Sequence, residues 1–282
     1  YLGFIAYILV LTRENMKKLD SKNIKNLAIE WGATIVGIAP VARFEGAPAG
    51  HGPLDLMPKA KSLIVMGVRI PDPVVEYDQY LVKMTEMGTE LGIEATMENF
   101  YMLMGHYTED MMLNILSVKM ANYIEINYGL RSMSTPNAAH TGLGHSVMAA
   151  PMGFFSQRHA AVRAGLGEFG LSGLVITPQF GPRVRYVSVI TNAELEPDPL
   201  LTEKVCMRGK CGENGPACWS RCGNGALTLR PGIDKEKVFI DIPVALDRQK
   251  CAGFVDGKAN FGCTYVGTCM RMCPAGKKVT GR

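Results

Sequence analysis

Eight cysteines are the residues of this sequence best suited to chemistry, and all of them lie in its last third. They form two groups of four, and each group closes with two cysteines separated by three residues. Four thiolates are the ligand set of one four-iron cluster, so the pattern predicts two such iron–sulfur clusters. The groups are Cys206, Cys211, Cys218 and Cys222, then Cys251, Cys263, Cys269 and Cys273.

The order of the cysteines also predicts how they divide between the clusters. In the bacterial ferredoxin arrangement the fourth cysteine of each group binds the cluster of the other group. Three separations in this chain are four, six and five residues, where ferredoxins have about two, so we expect loops that bulge outward. The expected ligand sets are Cys206, Cys211, Cys218 and Cys273 for one cluster, and Cys222, Cys251, Cys263 and Cys269 for the other.

Disulfides and zinc are the alternative uses of eight cysteines. The first 205 residues hold no cysteine, and no complete secretory signal is visible, which argues against disulfides. Zinc sites favour cysteines separated by two residues, a spacing that this chain lacks. A pure electron carrier with two clusters remains an open alternative.

Composition bounds the other function classes. With 282 residues, 47% of them hydrophobic, the chain can form a full core without disulfides. Its net charge is +4 and its basic residues are scattered, so no nucleic-acid partner is expected. The apolar segment 1–12 is shorter than the roughly 20 residues that cross a bilayer, so we expect no stable membrane span and a cytoplasmic protein.

Helical and strand patterns alternate along the first two hundred residues, which indicates a layered α/β or α+β domain. We expect an N-terminal extension over 1–20, this domain over 21–200 and a cysteine-rich domain over 201–282, with a linker at 196–199. Helices are predicted at 23–31, 98–128 and 156–164, strands at 33–39, 62–70, 174–177 and 185–191, and loop over 129–155.

Residues 158–200 carry the most specific motif of the chain. The run AGLGE at 164–168 is followed by two spaced glycines, and then by ITPQFGPR at 176–183 and PD at 197–198. This order resembles the cobalamin-dependent reductive dehalogenases. The segment VALDRQKC at 244–251 is similar to the lead-in to the second cysteine group of the epoxyqueuosine reductases, their sister family.

The resemblance implies a nitroreductase-like cobalamin-binding domain followed by a ferredoxin-like domain with two [4Fe-4S] clusters. It implies a base-off corrinoid, a low-potential ferredoxin or flavodoxin as electron donor, and an organohalide as the small-molecule substrate. The residues alone allow the motif to be an ordinary tight turn, in which Glu168 hydrogen-bonds the backbone. The residues that the resemblance assigns to the corrinoid are Gly165, Leu166, Gly167, Glu168, Gly170, Gly173 and Thr177.

A reductase of this kind also needs a proton donor and a nearby cation. The resemblance places Tyr107 at the position of the proposed tyrosine donor, although helical spacing from Met104 and Met111 also allows a core role. The family carries an Arg or Lys where this chain has Leu171. Arg158 is our first candidate for the missing cation. Further candidates are Arg163, Arg183 and Arg185 as cations, and His106, His140, His145 and His159 as proton donors.

Reductive dehalogenation is the function that the sequence favours. The epoxyqueuosine reductases carry an aspartate in a D-x-x-P motif before the glycine run, and here Pro151 is preceded by no acid after Ser132. Reduction of epoxyqueuosine in tRNA therefore stands as an alternative.

Overall fold

The computed structural model describes residues 19–80, 100–101, 103–137, 155–213, 215–222, 224–251, 254–255, 258–259 and 268–276. Its helices are α1 (Ser21–Glu30), α2 (Pro53–Leu56), α3 (Asp72–Val75), α4 (Tyr77–Tyr80), α5 (Thr108–Tyr128), α6 (Gln157–Arg163), α7 (Ala217–Ser220), α8 (Arg248–Cys251) and α9 (Thr268–Arg271). Its strands are β1 (Ile35–Pro40), β2 (Ser62–Arg69), β3 (Ser132–Ser134), β4 (Glu168–Phe169), β5 (Val175–Ile176), β6 (Val184–Thr191), β7 (Leu227–Leu229), β8 (Val244–Leu246), β9 (Phe254–Val255) and β10 (Lys258–Ala259). A 3₁₀ turn covers Val41–Phe44 and a π-helical turn covers Leu103–Tyr107.

A four-stranded sheet in the order β1-β2-β6-β3 forms the centre of the molecule. Every neighbouring pair in it is antiparallel, and Ile64 of β2 pairs with Ile38 on one side and Val189 on the other. Strand β2 is buried along almost its whole length, which its run of apolar residues predicts. The described part of the chain is thus a mixed α/β fold, and its main sheet is of the antiparallel kind.

Both faces of this sheet are covered because side chains along a strand point alternately to opposite sides. Helices α1 and α5 cover one face and α6 covers the other. The α1/α5 side contains Ile24, Ile38, Ile64, Met66, Leu113, Leu116, Met120, Ile124, Val187 and Val189. The α6 side contains Leu63, Val65, Ala160, Ala161, Phe169, Tyr186 and Ile190.

Local signals set the helix ends. Asp20 accepts a hydrogen bond from the backbone N–H of Asn23 at 3.0 Å and begins α1, and Ser156 begins α6 in the same way. Helix α5 ends at Gly129, whose φ of +64° suits glycine. In the described residues 129–137 of the expected loop, the structure has a short strand, β3, whose three residues were too few for a sequence pattern.

The segment 196–199, expected to be a linker, is largely exposed but is attached to the sheet through Asp198. The Asp198 carboxylate accepts from the Ile38 backbone N–H at 2.8 Å and from Lys25 Nζ at 2.7 Å. The Asp198 N–H donates in turn to the Ile38 carbonyl at 2.9 Å. The chain therefore passes into its cysteine-rich part along the edge of the sheet rather than through a free connection.

The cysteine-rich part consists of short elements. Strands β7 and β8 pair, β9 and β10 pair, and helices α7 and α9 lie close together. Its residues Cys218, Phe239 and Val244 belong to the same hydrophobic cluster as the α6 side of the sheet. A ferredoxin-like arrangement of this part stays a prediction.

Among the residues that the structure describes, no helix has both the length and the apolar character needed to cross a membrane. Residues 1–18 of the predicted N-terminal extension, which runs from 1 to 20, lie outside the described ranges.

Candidate functional site

Four cysteines line one small, partly enclosed cavity of about 20 Å³, which we name the cysteine cavity. They are Cys206, Cys211, Cys218 and Cys273. Cys273 follows Cys218 by 55 residues, and it still shares this cavity with the first three cysteines of the other group. This is the grouping that the ferredoxin arrangement predicts for one cluster, and the ligation itself stays a prediction.

The thiols of the cysteine cavity are held in an apolar setting. Burial, and after it the neighbouring cysteines, raise the pKa of Cys218 to about 12. Burial likewise raises the pKa of Cys273 to about 11. A metal that binds here must displace these protons, because the thiolate is the ligand form.

The donor set fits an iron–sulfur cluster. Small residues, among them Gly170, Gly209, Ala217 and Ala275, line the cavity beside the thiols, together with larger apolar side chains. The Ala217 N–H donates to Cys211 Sγ at 3.4 Å, the kind of bond that tunes cluster potentials. In the described ranges no three Cys, His, Asp or Glu side chains are grouped closely enough for a single metal ion. Ligands of a four-iron cluster stand further apart, since the cluster fills the space between them.

Cys222, Cys251 and Cys269 line a second cavity, which we name the cleft. The cleft has a volume of about 370 Å³ and is open to solvent. Ser172 lines both the cleft and the cysteine cavity, so the two are immediate neighbours. Cys263, the expected fourth ligand here, lies outside the described residues.

Helices α7 and α9 each serve both cavities. Helix α7 carries Cys218 and ends two residues before Cys222, while α9 carries Cys269 and ends two residues before Cys273. In each case one cysteine of the C-x3-C step lines the cysteine cavity and the other lines the cleft. Four helical residues span only about 6 Å, so the two cavities are held at short range.

Glu168 of the AGLGE motif contacts the first cysteine loop. Its carboxylate is fully buried and accepts hydrogen bonds from the backbone N–H groups of Val205 and Cys206 at 2.6 and 2.7 Å. It also forms an ion pair with Arg208. The expectation that Glu168 hydrogen-bonds the backbone is thus met, and the partner backbone is that of a candidate cluster ligand.

The glycines of the motif allow close packing of neighbouring backbone. A side chain at Gly165, whose φ is +76°, would collide with the Pro199 carbonyl. One at Gly167 would meet the Ile176 carbonyl, and Gly170 lines the cysteine cavity. These contacts explain the motif as a packed turn next to the cysteine cavity.

The other residues assigned to the corrinoid also have structural contacts. The Gly173 carbonyl accepts from Arg158 at 2.8 Å, and Leu166 packs near Gly37. Thr177 is fully buried and its hydroxyl accepts from the Phe180 N–H at 3.0 Å. In the part of the chain that the structure describes, none of these seven residues lines the cleft. Their role in binding a corrinoid stays a prediction.

The π-helical turn before α5 decides which side chains enter the cleft. Tyr101 and His106 line it, whereas Tyr107 is 37% exposed and is absent from its described walls. π-helical turns occur frequently at functional sites. Burial raises the pKa of Tyr101, and Arg185, which interacts with its phenol, opposes that rise. The sequence missed Tyr101, although it stands four residues before the Gly105 that marks the turn.

Asp110 organises the polar wall of the cleft. It pairs with Nδ1 of His106 at 2.8 Å and with Nη1 of Arg185 at 3.3 Å. Burial alone would raise the pKa of Asp110, but the hydrogen bond from His106 and the charge of Arg185 outweigh burial and hold it below the usual value. Burial raises the pKa of the adjacent Glu109 to about 7, against the charge of Arg185.

The candidate cations separate into two kinds. Arg158 and Arg185 line the cleft. Arg163 instead pairs with Asp241 at 2.7 Å, and Arg183 is buried against Asp72 and Glu76.

Of the other candidate histidines, His159 lies in a structural setting. It bonds Ser156 at 2.7 Å, and burial lowers its pKa to about 4. His140 and His145 fall outside the described residues.

Sequence comparisons identify relatives in two enzyme families, although no protein-family model matches the chain. A tetrachloroethene reductive dehalogenase from Sulfurospirillum multivorans is 32% identical over 118 residues, which cover 40% of this chain and 22% of that protein. An epoxyqueuosine reductase from Bacillus subtilis (strain 168) is 30% identical over 139 residues, covering 44% of this chain and 30% of that protein. The chain thus spans less than a third of the length of these relatives.

Solved structures of both families share the fold. An epoxyqueuosine reductase with an epoxyqueuosine-modified tRNA-Tyr stem loop matches with a TM-score of 0.52 at 18% identity, over 91% of this chain and 65% of that one. A catabolic reductive dehalogenase in complex with 3-bromo-4-hydroxybenzoic acid matches with a TM-score of 0.53 at 16% identity, over 90% of this chain and 31% of that one. This chain is a relative of both reductase families.

The relationship supports an oxidoreductase and confirms the resemblance found in the sequence. The mixed α/β fold is that of both reductase families. The matched dehalogenase is named for an organohalide, tetrachloroethene, and the matched epoxyqueuosine reductase was solved with a tRNA stem loop. The absence of a nucleic-acid partner, expected from the low net charge, therefore stays a prediction.

Proposed function

We propose that the protein is a corrinoid- and iron–sulfur-dependent reductase that removes halide from a small organohalide. The observation that carries the proposal is the placement of the cysteines. One set of four lines a small cavity, and three of the other set line the adjoining cleft, which is also lined by two phenols (Tyr101 and Tyr186), an imidazole and two guanidinium groups. A pure electron carrier would have no use for such a cleft.

The cleft suits a flat organic cofactor next to the cysteines. Its volume falls in the range of about 300–1,000 Å³ that is usual for ligand sites, and its open side allows a larger group to extend outward. Leu174, Val175, Val184 and Leu246 provide apolar walls, and Arg158 provides a charge beside Cys251. A bound corrinoid would supply a redox-active cobalt at which the carbon–halogen bond is broken.

Replacement of halogen by hydrogen consumes two electrons and one proton, and it releases one halide ion. The cysteine cavity and the cleft cysteines form the route for the electrons, which a low-potential ferredoxin or flavodoxin would supply. Tyr101 holds the proton at its phenol oxygen, since burial raises its pKa, and Arg185 stabilises the phenolate that remains. His106, fixed by Asp110, is the second proton source in the same wall.

Metal analysis and turnover test this proposal together. The protein, reconstituted with iron, sulfide and cobalamin under anaerobic conditions, should hold about eight irons and one cobalt per chain. Reduced by a low-potential donor, it should release halide from tetrachloroethene or 3-bromo-4-hydroxybenzoic acid, the compounds named for its relatives. Eight irons without cobalt would indicate an electron carrier instead.

Epoxyqueuosine reduction is the second candidate, because the matched epoxyqueuosine reductase is covered to 65% and the matched dehalogenase to 31%. An epoxyqueuosine-modified tRNA stem loop should be offered in the same assay. Reduction of the stem loop without halide release would replace dehalogenation by this reaction.

A further inference from the structure

Glu168 is buried more completely than a carboxylate normally is, and its carboxylate contacts the cysteine-rich part of the chain. Its Oε1 accepts the successive backbone N–H groups of Val205 and Cys206. Its Oε2 accepts the Phe239 N–H at 3.1 Å. Successive N–H groups of this kind form an anion-binding nest, here filled by the side chain of Glu168.

Arg208 completes the arrangement from the other side. Its two terminal nitrogens bind the two carboxylate oxygens of Glu168, which is the bidentate geometry of the stronger ion pairs. Its guanidinium carbon lies 3.8 Å from the centre of the Phe239 ring. Arg208 is also the one non-glycine residue in the described ranges with positive φ, at 54°. The backbone is thus held in an uncommon conformation two residues after Cys206.

We propose that the Glu168–Arg208 pair positions Cys206 for cluster binding and sets the reduction potential of the cluster in the cysteine cavity. This inference rests on the proposed function, since it requires a cluster at that site. It gives Glu168 of the AGLGE motif a role at the iron–sulfur cluster.

The effect on potential follows from charge and hydrogen bonding. Backbone N–H groups that point at cluster sulfur raise the potential, and Glu168 takes two such groups from the ligand loop. Its negative charge, placed near the cluster with little solvent to screen it, opposes the arrival of an electron. Arg208 offsets that charge, so removal of either partner leaves the other uncompensated beside the cluster.

Two substitutions test the pair because their expected effects have opposite signs. Glu168→Gln leaves the Arg208 charge uncompensated, so the midpoint potential of this cluster should rise. Arg208→Gln leaves a buried carboxylate uncompensated, so the potential should fall. EPR-monitored redox titration of the reconstituted protein gives the potentials, and the signal is assigned as the one that Cys273→Ser removes.

The ion pair between Lys204 and Glu236, with a 2.6 Å contact, provides matched controls in the same region. The side chain of Lys204 is 37% exposed and that of Glu236 is 84% exposed. Lys204→Gln and Glu236→Gln change the net charge by the same amounts, and solvent screening should leave the potential unchanged.

The outcomes separate the inference from the function on which it rests. Wild-type protein that binds no cluster overturns both. The inference alone is overturned if the wild-type protein binds two clusters but both variants keep its potential, or if the potentials of both variants shift in the same direction. If Arg208→Gln does not fold, Arg208→Lys retains the charge, and its potential should stay near that of the wild type while Glu168→Gln shifts upward.

Discussion

Tyr101 is the single residue on which the proposed proton transfer depends most. Tyr101→Phe should lower halide release by at least about 100-fold, because positioned proton transfer contributes about 10²–10⁴-fold to a rate. Tyr107→Phe is the matched control, since it removes the same hydroxyl from a partly exposed ring outside the described walls of the cleft. Steady-state turnover of both variants, at equal iron and cobalt content, makes the comparison. A larger loss in Tyr107→Phe would return the donor role to that residue.

The choice between these two tyrosines was beyond the reach of the sequence. Counting in steps of an α-helix places Tyr107 with Met104 and Met111, but the turn at Leu103–Tyr107 is π-helical and changes which side chains face inward. Arg185 was one of three further candidates after Arg158, because only the packing of β6 against the π-turn distinguishes it, through a 2.7 Å bond to the Gly105 carbonyl. Neither feature has a periodic pattern in the sequence.

The turn between α6 and β4 is an element whose glycine requirement can be measured. Gly165 and Gly129 have similar positive φ values of 76° and 64°, but only at Gly165 would a Cβ meet neighbouring backbone. Gly129→Ala should lower the free energy of unfolding by about 1–2 kcal/mol, the cost of the left-handed conformation. Gly165→Ala should lower it by about 2–4 kcal/mol, because the 196–199 segment must also move. Denaturant unfolding of both variants measures the difference, and equal losses would contradict this packing.

The longer elements of the first two hundred residues could be predicted, and the exceptions have physical reasons. Strands β2 and β6 carry long apolar runs, and helices α1 and α6 have capping residues, so their positions agree with the sequence to within a few residues. Strand β3 has three residues and relies on pairing with β6. The pairing directions depend on the whole sheet, so the patterns could indicate layers but could not distinguish a parallel sheet from an antiparallel one.

At the scale of the whole molecule, the crossed ligand sets join distant parts of the chain. Cys273→Ser should remove the same EPR signal as Cys218→Ser, although 55 residues separate the two positions. Cys269→Ser should remove the other signal, together with Cys251→Ser. Each variant should retain about four of eight irons. If Cys273→Ser and Cys269→Ser abolish one and the same signal, the sets are not crossed.

The sequence predicts these ligand sets because a ferredoxin-like order of cysteines implies them, and the ligation stays a prediction. The sequence could not predict the cleft, because its walls combine the π-helical turn, α6, β6, β7 and the helices α8 and α9. Relatives of both reductase families share the fold, so the fold leaves the substrate open. The cleft side chains Tyr101, His106 and Arg185 are where a decision on substrate can be sought.

The two short helices that each serve both cavities have a consequence for how this protein can evolve. The three-residue step between paired cysteines is held by one turn of helix between the two cavities, so an insertion there would separate the cysteines of both candidate cluster sites. The intervals of four, six and five residues within the groups already depart from the two residues usual in ferredoxins, so the pattern is less strict there. In diverged relatives, the three-residue spacing that closes each cysteine group should therefore be the part of the pattern that changes last.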